Sequence, residues 1–257
     1  MKTVVMVPTF NERENIALLV PAVFEACPDA EIVVVDDDSP DGTAAAVKQL
    51  QERHPRLHLL LRRGERGRGT AGLAGFRYAL SLGAEIVVEM DADFSHHPRH
   101  LPALLKEAEQ TDVVLGSRFV PGGEDRRGPS RKLITWFANR YIRFVLGLRL
   151  HDCTSGYRCF RRRVLEEIQL DQTVSLGPAI VQELLYKACL KGFRVVEQPI
   201  VFEDRVRGQA SFSGRVMLQG FLMVLIIRYL FSSLRRQEFH AVPQGGPGGV
   251  EVFPARA

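Results

Sequence analysis

A chain of 257 residues, 46% hydrophobic and 25% charged, suits one sizeable globular domain with a full core, or one domain plus an appendage. Its four cysteines, Cys27, Cys153, Cys159 and Cys189, form no CxxC pair, which excludes a disulfide framework or zinc site and fits a reducing compartment. The net charge of +4 is uneven: acids gather in the first hundred residues and arginines dominate residues 118–236, so the second half is expected to meet an anionic partner such as nucleic acid, a phosphate ligand or an anionic membrane surface.

The N-terminus enters a strand without a long apolar stretch, so no signal peptide is expected. "KTVVMVP" reads as a buried strand; Asn11 then opens a helix, with Glu14 completing a capping box and Pro21 kinking or splitting the helix. "EIVVVDD" is a second strand, "SPDGT" a turn, and residues 43–53 a helix. "LHLLL" is a third strand, followed by a glycine-rich turn and a helix to about Leu82. "EIVVEMD" is a fourth strand, residues 101–110 a helix, and "DVVLGSR" a fifth strand. Short Val/Ile/Leu runs joined by helical crossovers predict a parallel sheet covered on both faces.

The second half differs. "PGGEDRRGPS" reads as a basic loop, and residues 133–148 as a helix with Lys132, Thr135, Asn139 and Arg143 on one stripe and Phe137, Tyr141, Phe144 and Leu148 on another. Residues 178–190 form a further helix and "FRVVEQPIVF" a further strand. The run 217–231 is strongly apolar, but it is shorter than the roughly 20 residues of a membrane span and is broken by Gln219 and Arg228. It reads as an interfacial helix flanked by Arg215, Arg235 and Arg236, with a packed core helix as the alternative. A Gly/Pro-rich tail from Ala241 should be disordered. The expected division is a catalytic domain over 1–213, an interfacial helix over 214–240 and a tail over 241–257.

In an open parallel sheet, ligands bind beyond the carboxyl ends of the strands. The ends "PTFNE", "DDDSPDGT" and "EMDADFS" should therefore share one rim. Taken singly, such acids cap helices and make turns; three acidic ends on one rim point to a cation. Asp91 and Asp93 beside a phosphate suit Mg²⁺ or Mn²⁺, which prefer oxygen ligands and keep waters. His96 and His97 have no third imidazole or thiol at ligand spacing and read as a polar loop before a helix starting at Pro98. "GRGTAG", residues 67–72, fits the G-x-G-x-x-G dinucleotide pattern, with Glu89 about twenty residues on. It follows the third strand and not the first, and "RRGER" intervenes, so hydride transfer is disfavoured. The glycines instead let a loop bearing Arg66 and Arg68 approach the ligand, or shorten a turn.

Together, "VPTFNERENI", "VVVDDDSPDGT", "GRGTAGLAGF", "MDADFSHHP", "GSRF", "SRKLITWFAN", "DCTSGYRCF" and "VQELL…EQPIVFEDRVRG" resemble the dolichol-phosphate (polyprenyl-phosphate) mannose synthases, inverting enzymes of glycosyltransferase family 2. The resemblance spans about residues 3–215 and implies a GT-A fold, an α/β Rossmann-like and mostly parallel sheet flanked by helices, with C-terminal amphipathic or interfacial helices. It implies that Pro8, Phe10 and Glu12 bind the nucleotide sugar, Phe10 standing where a tyrosine is usual, and that Val35 and Asp37 hold base and ribose. Asp91, Ala92 and Asp93 match the DxD motif for metal and diphosphate, with Ser95 as a further metal ligand and Asp93 among the catalytic groups. Arg118, Arg131, Thr135 and Arg205 match groups that handle the acceptor phosphate. Ser211 replaces a lysine of the usual pattern, and Arg207 or Arg215 is the candidate substitute.

The implied partners are GDP-mannose, a polyprenyl monophosphate and the cytosolic face of a membrane, with Mg²⁺ or Mn²⁺ and no nucleic acid. The alternatives are UDP-glucose-dependent transfer to the same acceptor, or a non-catalytic nucleotide-sugar-binding module. A phosphate nucleophile is already anionic near neutral pH, which fits a sequence without a Ser/His/Asp or Cys/His constellation.

Overall fold

The structure, a computed structural model, describes residues 1–64, 66–204 and 214–231. In chain order the elements are Thr3–Thr9 (β1), Arg13–Ala26 (α1), Glu31–Asp36 (β2), Thr43–Gln51 (α2), Leu57–Leu61 (β3), Arg68–Ser81 (α3), Ile86–Glu89 (β4), Leu101–Ala108 (α4) and Val113–Ser117 (β5). There follow Glu124–Asp125 (β6), Pro129–Leu146 (α5), Arg158–Arg161 (β7), Arg162–Glu167 (α6), Ile180–Leu190 (α7), Val195–Pro199 (β8), Val201–Phe202 (β9) and Gly214–Phe231 (α8).

The main sheet has the order β3-β2-β1-β4-β7-β5-β8. β1 pairs in parallel with β2 and β4, β2 with β3, and β5 with β8. β7 runs antiparallel between β4 and β5, so the sheet is mostly rather than wholly parallel. This strand escapes sequence reading because "RCFR" has neither an apolar run nor a clean alternation. The expected strand over 193–202 is also two: β8 stays in the main sheet, and β9 leaves it to pair with β6.

Alternation along β1 and β2 feeds two cores. Val4, Met6, Val33 and Val35 face one, with Phe76 of α3 and Leu184 of α7; Val5, Val7, Ile32 and Val34 face the other, with Ile16 and Leu19 of α1. Burial on both faces is why these strands read as continuous Val/Ile runs. α8 joins the first core through Val224, Ile227 and Phe231, while Leu222, Leu225, Tyr229 and Leu230 stay exposed. The packed-core alternative therefore describes one face of this helix, and the other face exposes apolar side chains.

The start of α1 corrects the capping-box expectation. Asn11 takes a left-handed φ of 59°, and Glu12 stands at the N-cap without a side-chain cap bond. The "SPDGT" turn satisfies the orphan amides instead. The Asn11 amide donates to Ser39 Oγ, Glu12 to Thr43 Oγ1 and Arg13 to Asp41 Oδ2, each at 3.0 Å. α1 continues unbroken past Pro21, which lies on its exposed face where water can reach the freed carbonyl. The triplet Arg161, Arg162 and Arg163 is tied down: Arg161 donates to the carbonyls of Ala108, Glu109 and Thr111, Arg162 to Glu166, and Arg163 to Asp112. Arg161 thereby staples the end of α4, while Arg162 and Arg163 remain partly exposed.

Candidate active site

β1, β2, β4 and β5 run in one direction, so the residues after them share a rim. Each of the first three is followed by a non-glycine residue in the left-handed region: Asn11 (φ 59°), Asp38 (φ 54°) and Phe94 (φ 62°). A bulky Phe there costs on the order of 1–3 kcal/mol, and such strain gathers where a loop is shaped for a ligand. The turn at Phe94 folds Ser95 back onto Asp93, whose Oδ1 accepts from the Ser95 amide at 3.1 Å and hydroxyl at 2.5 Å.

The acids on this rim divide into kinds. Asp36 and Asp41 are structural: Asp36 accepts from Thr9 and Ser39, and Asp41 from Arg13 and Thr43. Burial opposes ionisation of Asp41, but hydrogen bonds from Thr43 and Arg13 outweigh it and lower its pKa. Asp37 is buried, ion-paired to Arg62 at 2.9 Å, and accepts the Gly67 amide at 2.8 Å. Val35 lies wholly in the core under α3, so its side chain does not reach the rim. Pro8 is half-buried, and Phe10 is exposed with the Arg66 guanidinium 5.0 Å from its ring. Glu12 accepts from Asn15 Nδ2 at 2.6 Å.

Glu89 turns inward against Arg68, and Asp91 remains the more open carboxylate. His96 is more than loop filler. It is buried, its Nδ1 accepts the Asp91 amide at 3.0 Å, and its ring stacks on Tyr157 with centroids 5.0 Å apart. Burial lowers its pKa, which keeps the ring neutral with its proton on Nε2. Residue type gives no signal of this; only the fold brings Tyr157 and Phe202 around it. His97 caps the short helical turn at Pro98–His100 by accepting from the Arg99 amide.

The glycine-rich stretch works by close approach. A Cβ on Gly69 would lie 2.6 Å from the Leu176 carbonyl carbon, and one on Gly75 would lie 2.5 Å from Met6 Cγ. α3 is thereby seated low on β1, which brings Arg68 to the acidic rim.

The basic side is built from β5, α5 and the loop 152–157. Arg118, just after β5, forks onto Asp152 with both bonds at 2.7 Å and donates to Thr154 Oγ1 at 2.6 Å. Burial opposes its charge, but Asp152 raises its pKa; Arg118 in turn holds the fully buried Asp152 down to about 2 against that burial. Arg127, for which the sequence carries no motif, forks onto Asp125 and donates to Thr135 Oγ1 at 2.8 Å. The Arg118 and Arg127 guanidiniums both lie against the Phe202 ring, 4.9 and 4.8 Å from its centroid. Arg131 pairs with Asp204 at 2.6 Å, and both are about half exposed. Arg205, Arg207 and Ser211 lie outside the described residues, as do Arg235, Arg236 and the tail.

One cavity of about 810 Å³ joins these groups. Arg68, Asp91, Asp93, Ser95 and His96 line one part of it, and Arg118, Arg127, Arg131, Thr135 and Thr154 another. Tyr141 and Ile142 of α5 and Phe221, Met223, Val224 and Ile226 of α8 form an apolar wall. The Tyr141 hydroxyl donates to the Phe221 carbonyl at 2.9 Å and fixes the two helices together. All four cysteines are free thiols.

Residues 4–169 match the sequence profile of Glycosyl transferase family 2, and the chain belongs to that family. It is 46% identical over 216 residues to the polyprenol monophosphomannose synthase of Mycolicibacterium smegmatis, covering 83% of this chain and 82% of that protein. It is 40% identical over 218 residues to the undecaprenyl-phosphate mannosyltransferase of Micrococcus luteus, covering 84% and 90%. The fold resembles glucosyl-3-phosphoglycerate synthase from Mycobacterium tuberculosis, solved with Mn²⁺, UDP and glucosyl-3-phosphoglycerate. The TM-score is 0.65 at 17% identity, over 98% of this chain and 87% of that one, a likeness of fold. The mostly parallel sheet flanked by helices is thus a GT-A glycosyltransferase core.

Proposed function

We propose that the protein transfers mannose from GDP-mannose to a polyprenyl monophosphate, with inversion at the anomeric carbon, at a membrane surface. The observation that carries this reading is the single cavity running from the DxD carboxylates past three arginines to the apolar wall of α5 and α8. An acceptor with an anionic head and a hydrocarbon tail suits such a cavity. The names of the M. smegmatis and M. luteus relatives support the sugar and the acceptor class.

Asp91, Asp93 and Ser95 offer only oxygen donors, which fits Mg²⁺ or Mn²⁺. Among the described residues no three His, Cys, Asp or Glu side chains form a metal cluster of their own, so phosphate and water oxygens would complete the shell. A divalent ion bound there offsets charge on the departing diphosphate. Pro8, Phe10, Glu12 and Asp37 are not among the residues lining the cavity; they would take the nucleotide beyond it on the same rim, where Arg66 beside Phe10 favours an anion. Arg118, Arg127 and Arg131, with Thr135, orient the acceptor phosphate. Its oxygen is already charged and needs no general base.

For the membrane, Leu133, Trp136, Phe137 and Phe144 on α5 and Leu218, Leu222, Leu225 and Tyr229 on α8 expose apolar surface on the helices that line the cavity. Among the described residues no helix is long and apolar enough to cross a bilayer, so these faces suit peripheral attachment. The test is a panel of labelled sugar nucleotides with polyprenyl phosphate vesicles and Mg²⁺ or Mn²⁺. Labelled lipid from GDP-mannose is expected; product from UDP-glucose alone would overturn the sugar assignment, and none from any donor would overturn the enzyme reading.

A further inference from the structure

We propose that Arg68 is a resident cation of the diphosphate site: it holds Asp91 before a divalent ion does, and the prong on Asp91 passes to the donor diphosphate when ion and nucleotide bind. The inference rests on the sugar-nucleotide reading above. Arg68 opens α3, and Gly69, packed against Leu176, fixes that start close to the acidic rim. Its two contacts are unequal. Nη1 reaches Glu89 Oε1 at 2.6 Å, and Nη2 reaches Asp91 Oδ1 at 3.3 Å. Glu89 is 2% exposed, whereas the Asp91 side chain is 38% exposed and faces the cavity. The first contact is an anchor and the second a labile prong.

Room above the prong is provided by Gly156. A Cβ there would lie 3.5 Å from Arg68 Nη2 and 3.8 Å from Asp91 Oδ2. A larger side chain would cover both groups.

Charge then sets an order. A guanidinium and a divalent ion on one carboxylate repel each other, so Arg68 weakens binding of the ion alone. A diphosphate reverses this, because its oxygens accept from the guanidinium fork while also serving the ion. Ion and nucleotide should therefore strengthen each other's binding, each by the same factor. Glu89 keeps Arg68 in place throughout, so the side chain pivots without leaving the site.

The experiment measures free Mn²⁺ by electron paramagnetic resonance, with the full chain, in the presence and absence of GDP, and GDP and GMP affinity in parallel. Wild type should bind Mn²⁺ about tenfold or more tightly with GDP than without, the scale of one charge-assisted hydrogen bond. Arg68→Gln should bind Mn²⁺ alone more tightly than wild type and GDP with Mn²⁺ about tenfold more weakly, with a smaller loss for GMP. Arg68→Lys keeps a charge against Glu89 but cannot span two carboxylates. It should shift both affinities the same way, and it decides the matter if Arg68→Gln does not fold. Unchanged Mn²⁺ and GDP affinities in a folded variant would make Arg68 a structural partner of Glu89 and overturn the inference. Wild type that binds neither Mn²⁺ nor GDP would instead overturn the sugar-nucleotide reading.

Discussion

The two sides of the cavity handle charge differently. On the acidic side, Asp93 accepts from the Ser95 hydroxyl and amide, the His96 ring holds the backbone amide of Asp91, and Arg68 reaches the Asp91 carboxylate at 3.3 Å, longer than its 2.6 Å contact with Glu89. On the basic side, each arginine arrives with its own carboxylate: Arg118 with Asp152, Arg127 with Asp125, Arg131 with Asp204. An acid held by neutral donors, as Asp93 is by Ser95, keeps its charge for a ligand. Arginines held by acids are oriented first, and present only part of their fork to a phosphate. Burial grades the second group, from the enclosed Arg118 to the half-exposed Arg131.

The contrast is broken most severely on the acidic side. Asp93→Asn or Asp91→Asn should reduce transfer by about a thousandfold, the upper range for losing one electrostatic group at a reacting centre. Chelation of the divalent ion should do the same reversibly, read as labelled lipid product. Full activity in excess chelator would remove the ion from the account.

Next comes the buried pair. Arg118→Ala strands the Asp152 carboxylate at full burial and should cost about 3–5 kcal/mol of stability in urea unfolding. Arg118→Met with Asp152→Asn should restore much of that stability and leave transfer impaired. Recovery of both would show that Arg118 acts only through the fold.

Arg131 gives the sharper test of phosphate handling, because its partner is exposed. Arg131→Ala should change stability by less than about 1 kcal/mol. Turnover at saturating lipid should nevertheless fall about a hundredfold while GDP still binds. A loss of stability equal to that of Arg118→Ala would erase the distinction between the two pairs.

The smallest effect is in acid. The folded pKa of Asp152, about 2, lies below its ordinary value, so its stabilisation is complete above the ordinary carboxylate range and is lost as pH falls toward 2. Unfolding followed from pH 5 to pH 2 should show about 2 kcal/mol lost through this group. Asp152→Asn should flatten that part of the profile.

The acidic side is the more legible in the sequence. Its residues sit at the ends of Val/Ile strands whose periodicity fixes their direction, so the pattern alone places Asp91, Asp93 and Ser95 on one rim. The acceptor arginines come by resemblance, and their partners do not follow from it. Asp152 meets Arg118 and Asp125 meets Arg127 through a loop and a two-residue strand that carry no periodic signal. Val35 shows the opposite limit, a matching motif position whose side chain the sheet alternation sends into the core. His96 is undervalued by sequence because one imidazole without a ligand set looks like loop. Its role depends on a hydrogen bond to a backbone amide, which residue type does not encode.

Donor and acceptor are proposed to meet in one cavity and react in a single displacement. The most direct test is the anomeric configuration of the lipid product formed by the full chain from GDP-mannose, polyprenyl phosphate and Mn²⁺, read by nuclear magnetic resonance. One anomer is expected, inverted relative to the donor. A retained anomer would require a second displacement or another nucleophile and would contradict the single displacement.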